Sequence, residues 1–192
     1  MRKPFAIAIS LALLLSFAAC NTPTAPATEV LTFTDVTGAW FTEEQPEGSG
    51  SEIGPETLRV GRTYDGKDIF ALVRAPFDGE FSAEAVRQAW LCLKIAENNG
   101  GSSPYVAPLT GPWERGIACG EAKALAGPPE AARQALTMDG WLQVDMTDFV
   151  RAWVGGEENY GIALFEGNDS TETVFVSGGE DGPKLEIIID KR

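Results

Sequence analysis

The sequence predicts an all-β fold: a two-sheet β-sandwich of jelly-roll type, with one short helix, about Thr147–Val154, laid across the end of the core. Two observations predict it. The apolar runs are short, and 21 glycines and 12 prolines punctuate them, a pattern that suits many strands joined by tight turns. The helical segment is too brief to stand alone in water, so it must pack against something larger.

That segment lies inside the most informative stretch, Trp141 to Phe165. Trp141, Leu142, Val144 and Met146 form a mixed alternation ending at Thr147, as in a strand with a buried face. Asp145 and Thr147 are of the types that cap helices, because their oxygens accept the free N–H groups of a first turn. Phe149, Val150 and Trp153 then fall on one helical face. Gly155-Gly156 can take the positive φ that ends a helix. Tyr160, Ile162 and Leu164 alternate with Gly161, Ala163 and Phe165, a returning strand with two apolar faces.

Taken in order, Met1–Cys20 reads as a targeting segment: Arg2 and Lys3 supply a positive start, and Ala6 to Phe17 is an apolar run too short to span a bilayer. Its end, Phe17-Ala18-Ala19-Cys20, resembles the lipobox of bacterial lipoproteins, in which the cysteine is acylated and becomes the new N-terminus. The resemblance implies a lipid bilayer as partner through Cys20 and an extracytoplasmic location, with Asn21 favouring the outer membrane or cell surface. An ordinary cleaved signal peptide is the other reading. Residues 21–31 are Pro/Thr/Ala-rich, a flexible tether, and 32–192 form a single domain.

The full chain has a formal charge of −13; without Arg2 and Lys3, 13 basic residues face 28 acidic ones, a net charge of −15. So acidic a surface repels nucleic acid and anionic membranes. Within the domain, Glu43 to Pro55 is a long polar loop. Leu58 to Arg62 and Ile69 to Arg74 form a hairpin across Tyr64-Asp65-Gly66-Lys67, where Asp-Gly is a strong turn signal. Val86 to Ile95 is an interior strand, with Val86, Gln88, Trp90, Cys92 and Lys94 on one face and Arg87, Ala89, Leu91, Leu93 and Ile95 on the other. Tyr105 to Leu109 and Ala118 to Ala126 read as strands, Glu130 to Leu136 as loop with a brief helical turn, and Val174 to Val176 and Leu185 to Ile189 as closing strands.

Cys92 and Cys119 remain once Cys20 goes to the lipid, and an even pair in an exported domain points to a disulfide. A closed loop of about 28 residues would add roughly 3.5 kcal/mol in the chain-entropy model. Two separate buried thiols are the alternative.

The chain has no histidine, which removes Ser-His-Asp and Cys-His catalysis and His-containing zinc sites. Carboxylate pairs such as Asp145/Asp148 or Glu157/Glu158 leave a glycan-cleaving mechanism formally open, but the first pair suits a helix start and the second a solvated turn. Binding is the stronger expectation. Sugars are held on β-sandwiches by flat aromatic faces with polar groups at the rim. Trp90, Trp141 and Trp153 sit in apolar patterns and read as core, whereas Trp40, Tyr64, Tyr105 and Trp113 lie in or beside polar loops and are the candidate contacts. Asn168, Asp169, Glu180 and Asp181 offer oxygen ligands that could hold a structural Ca²⁺.

Three pieces in order carry a resemblance: Leu58-Arg59-Val60-Gly61 with Ala71-Leu72-Val73-Arg74; Val144-Asp145-Met146-Thr147 through Ala152-Trp153-Val154-x-Gly156 to Tyr160-Gly161-Ile162-x-Leu164; and Gly182-Pro183-Lys184-Leu185. Together they resemble the DNRLRE family of bacterial secreted domains, related to disaggregatase-associated domains and including carbohydrate-binding modules. The segment Trp113 to Pro129 departs from that family's pattern. The resemblance implies a surface module that binds polysaccharide or cell-wall glycan. A structural or assembly module of the envelope, without a sugar site, is the alternative.

Overall fold

The computed structural model describes residues 27–42, 57–77, 79–98, 104–114, 116–131, 134–136, 139–166 and 172–191. The targeting segment with Cys20, most of the tether and the Glu43 to Pro55 loop lie outside the described residues. The strands are β1 (Thr28–Phe33), β2 (Thr37–Thr42), β3 (Thr57–Arg62), β4 (Asp68–Arg74), β5 (Val86–Asn98), β6 (Pro104–Pro108), β7 (Glu130–Ala131), β8 (Gln134–Leu136), β9 (Trp141–Asp145), β10 (Ile162–Glu166), β11 (Thr173–Val176) and β12 (Lys184–Asp190). Two short helices are α1 (Cys119–Ala124) and α2 (Thr147–Val154). The fold is all-β and sandwich-like, and every ladder among the described residues is antiparallel.

One layer runs β8-β9-β5-β12-β1, with β11 continuing the line of β12 along β5 and β3 beside β11. The other runs β2-β4-β10-β6-β7. Strand β3 belongs to both, because Gly61 and Arg62 pair with β4 at the hairpin while Thr57 to Val60 pair with β11. The hairpin forms as its residues dictate: Gly66 takes φ 88°, and Thr63 N–H donates to Lys67 O at 2.8 Å. Between the layers lies the main core, where Leu58, Val73, Leu91, Leu93, Leu142, Val144, Ile162, Leu164, Phe175 and Leu185 are each at most 2% exposed.

The central strand departs from strict alternation at one point. Ile188 pairs with Gln88 but Ile189 pairs with Val86, so a bulge shifts the register. Val86 therefore turns into the core with Ala89 and Leu91, rather than lying with Gln88 and Trp90 as the alternation predicts.

The helix α2 closes one end of the sandwich. Val150 is fully buried, and Phe149 and Trp153 pack on the core, with Trp153 6.2 Å from Phe77 between ring centroids. Its start is bolted to β5. Thr147 Oγ1 donates to the Asp145 carboxylate and accepts the Ala89 N–H at 3.1 Å, while Met146 N–H donates to Ala89 O. Arg151 donates twice to Val86 O, at 3.2 and 2.9 Å. Gly156, at φ 110°, ends the helix. Thr147→Val keeps the shape but leaves the Ala89 N–H without its acceptor; it should cost about 1–3 kcal/mol in urea unfolding, and no change would mean that water replaces the hydroxyl.

The outer face of the second layer is covered. Leu109 bridges to Ala126, Thr110 N–H donates to Leu125 O at 2.9 Å and Gly127 N–H to Pro108 O at 2.8 Å, so the segment between them is a loop pinched at its neck. It lays Trp113 and Ala122 onto Ala39, Phe41, Phe70, Leu72, Ala107 and Ala163, a second buried cluster.

Several expectations are corrected here. Ala118 to Ala126 holds α1, not a strand, and Glu130 to Leu136 supplies β7 and β8, not a helical turn. The strand β1 begins at Thr28 and pairs with β12 from Asp190 to Leu185, so the end of the tether segment is part of the sheet. The disulfide is absent: Cys92 and Cys119 are not bonded to each other. Cys92 faces outward from the first layer, across from Gln143 and Lys184, whereas Cys119 packs on the second cluster, beyond the second layer. Layers stack about 10 Å apart, and a disulfide needs Cα atoms within about 7 Å.

Candidate functional site

Among the described residues, the face left uncovered is the outer side of the first layer. Because Ala89, Leu91 and Leu93 point into the core, Trp90, Cys92 and Lys94 point out; likewise Leu142 and Val144 turn Trp141, Gln143 and Asp145 outward. The register sets these side by side. Trp90 lies between Asp145 on β9 and Glu186 on β12, Cys92 between Gln143 and Lys184, and Lys94 beside Trp141. Trp90 and Trp141 are both part-buried.

Around Trp141 the face is polar and charged. The Lys184 ammonium lies 4.9 Å and the Lys94 ammonium 5.5 Å from its ring centre. Lys94 also donates to Asp139 O at 2.6 Å, and Lys184 pairs with Glu186 at 2.9 Å. That hydrogen bond raises the Lys184 pKa above its ordinary value, with burial opposing it. A cleft of about 220 Å³ opens here, lined by Cys92, Asp139, Trp141, Gln143 and Lys184. The arrangement presents flat aromatic surface, three carboxylates, an amide and two ammoniums on one wall, which is chemistry suited to a polyhydroxylated ligand.

Cys92 sits on the floor of this cleft, 1% exposed. Burial first, then the nearby Glu186 charge, pushes its thiol up to about 11 from 9.0. It is thus a packed thiol rather than a nucleophile. Because the folded state holds the proton more tightly, the unfolded chain loses it first as pH rises. Stability from this group is complete below about pH 9 and declines between pH 9 and 11. Unfolding curves across that window should show a steeper alkaline loss for the wild type than for Cys92→Ala; equal slopes would refute the assignment.

Two larger openings flank β1. One of about 650 Å³ is lined by Glu29, Glu80, Phe81, Ser82, Ala85, Ile189, Asp190 and Lys191, where Glu29 and Lys191 pair with each other at 3.8 Å. The other, about 530 Å³, runs from Thr32 to Asp35 against Pro76 and Phe77. Phe33, Phe77 and Phe81 at their walls belong to the aromatic group that α2 closes over.

The four predicted contacts do not come together. Trp113 is 3% exposed, donates Nε1–H to Tyr160 O at 3.0 Å, and lies under Arg74; it is a core residue, not a contact. Tyr64 is fully exposed at the hairpin tip, and Tyr105 is 38% exposed on β6 of the other layer. Trp40 is part-buried on β2 with the Arg59 guanidinium 5.1 Å over its ring. Of the predicted calcium ligands, Asn168 and Asp169 lie outside the described residues, while Glu180 and Asp181 are exposed in the turn before β12. Among the described residues, no three metal-ligating side chains converge. The carboxylate pairs have local partners or solvent: Asp145 holds Thr147, Asp148 lies 3.6 Å from Arg151, and Glu157 and Glu158 are exposed after α2.

Sequence reasoning missed Trp90 and Trp141, which it read as core. The signal was present: Trp141 shares its face with Gln143 and Asp145, and Trp90 with Gln88 and Lys94. A tryptophan alternating with polar residues belongs to the solvent side. In comparison with known proteins, the chain matches no family model and finds no match among curated proteins.

Proposed function

We propose that the protein is a glycan-binding module of the cell envelope, anchored at a membrane through acylated Cys20 and without a catalytic role. The observation that carries the reading is the pair Trp90 and Trp141, part-exposed on one uncovered sheet face among Gln143, Asp145, Glu186, Lys94 and Lys184. Aromatic faces meet the apolar faces of sugar rings, and the surrounding polar groups meet the hydroxyls. A sugar stacking on Trp141 would displace a lysine from the ring, a cost of about 0.5–1 kcal/mol at an exposed cation–π pair. The released ammonium can then donate to the ligand.

The test is affinity electrophoresis of the protein through gels carrying soluble polysaccharides, with calcium and chelator conditions in parallel. Retardation lost in Trp90→Ala and Trp141→Ala, but kept in Tyr64→Ala, is the expected result. Retardation indifferent to both tryptophans would refute the site. Palmitate labelling lost in Cys20→Ser tests the anchor.

One observation favours the assembly reading. Among the described residues β1 pairs only with β12, and Val30 on it is 58% exposed, so its outer edge offers a strand-pairing surface. Self-association that Val30→Lys abolishes would favour this reading.

A further inference from the structure

We infer that the open face takes an internal stretch of an extended glycan chain, lying along β5 and β9, rather than a small sugar or a chain end. The inference rests on the glycan-binding reading and adds the form of the ligand. Trp90 is opposite Asp145 and Trp141 is opposite Lys94, so the two tryptophans are four residues apart along the paired strands. At about 3.4 Å per residue they are separated by roughly 13 Å, one strand to the side. A disaccharide does not bridge that span; a longer chain does, with non-adjacent rings over the two indoles.

What lies between the tryptophans suits such a chain. The intervening positions on the same face are Cys92, buried as floor, and Gln143, with Lys184 across the strand. Among the described residues, Gln143 and Lys184 lie beside the buried Cys92 between the two rings and line the cleft with it. The cleft beside Trp141 holds about 220 Å³ and is one end of this path. The polar groups also change along it: Asp145 and Glu186 border Trp90, whereas Lys94 and Lys184 border Trp141. The face is therefore directional, and a bound chain has a preferred polarity.

Calorimetric titration with cello-, xylo-, manno- and chito-oligosaccharides of two and of six units tests the inference, with the matching polysaccharides as reference. The six-unit member of the bound series should bind at least tenfold tighter than the two-unit member. Trp90→Ala or Trp141→Ala should each shrink that ratio to threefold or less, with the circular dichroism spectrum unchanged. Equal affinity for short and long members would overturn the inference and leave the glycan reading standing; so would a tryptophan substitution that weakens both lengths equally. If no polysaccharide binds, the glycan reading fails and this inference with it. Should an alanine variant fail to fold, the length series on the wild-type protein decides by the same tenfold criterion.

Discussion

Gly161→Ala is expected to destabilise the protein by roughly 2–5 kcal/mol, adding a left-handed backbone cost of about 1–2 to an overpacking cost of about 1–3. Gly161 has φ 95°, and a β-carbon there would lie 2.3 Å from the Val73 carbonyl oxygen and 3.1 Å from Arg74 Cα. Neither neighbour is a flexible side-chain tip; both belong to β4, whose ladder with β10 begins at Val73. The residue is also tied on each side, since its N–H donates to Asn159 Oδ1 at 3.1 Å and its carbonyl accepts from Leu109 N–H at 3.0 Å. The chain cannot retreat without loosening β10 and the neck of the covering loop together. Gly156→Ala is the control: φ is 110°, yet among the described residues no atom beyond its chain neighbours lies within 4 Å of its added β-carbon. It should lose only the backbone share, about 1–2 kcal/mol. Equal losses in urea titrations would show that the close approach to Val73 contributes nothing.

Trp113→Ala is expected to cost about 3–5 kcal/mol, the range for deleting a large buried aromatic. The side chain is 3% exposed, caps the second cluster, and satisfies the Tyr160 carbonyl through Nε1–H. Its removal leaves a cavity, an unpaired carbonyl and an Arg74 without the ring beneath it. In a domain whose stability is of the order of 5–15 kcal/mol, this approaches the whole margin. If the proposed glycan-binding reading holds, the folded fraction should bind polysaccharide as the wild type does, because Trp113 lies beyond the layer opposite the face that carries Trp90 and Trp141. A loss of affinity at full stability would return Trp113 to the role the loop pattern suggested. Trp113 touches Tyr160, next to Gly161, so the two substitutions should be less than additive in the double variant.

Where residues act through their neighbours in sequence, the fold was legible. Tyr64-Asp65-Gly66-Lys67 makes the hairpin turn it predicts, and Thr147–Val154 is the helix, because turn chemistry and a 3.6-residue period are local. The segment Cys119–Ala124 misled because alanines and apolar residues there admit either period; Glu121, Lys123 and the pinched neck decide for helix. Strands as short as Glu130–Ala131 and Gln134–Leu136 carry no period at all and exist through their partners β6 and β9. The cysteines show the same limit. Spacing in sequence says nothing of which layer a thiol faces, and Cys92 and Cys119 face different ones. For the candidate site the needed fact was relational: Trp90 and Trp141 become neighbours on a surface only when β5 pairs with β9 and the second layer takes the other side.

The pairing of β1 with β12 has a mechanical consequence. Thr28 sits opposite Asp190, and Lys191 N–H donates to Ala27 O at 2.7 Å, so the described chain enters and leaves at one corner. Tension applied between those two points would load the ladder one hydrogen bond at a time, peeling β1 away as a zipper opens. The bonds between β5 and β9 beneath the tryptophans would bear none of that load until the first strand had gone.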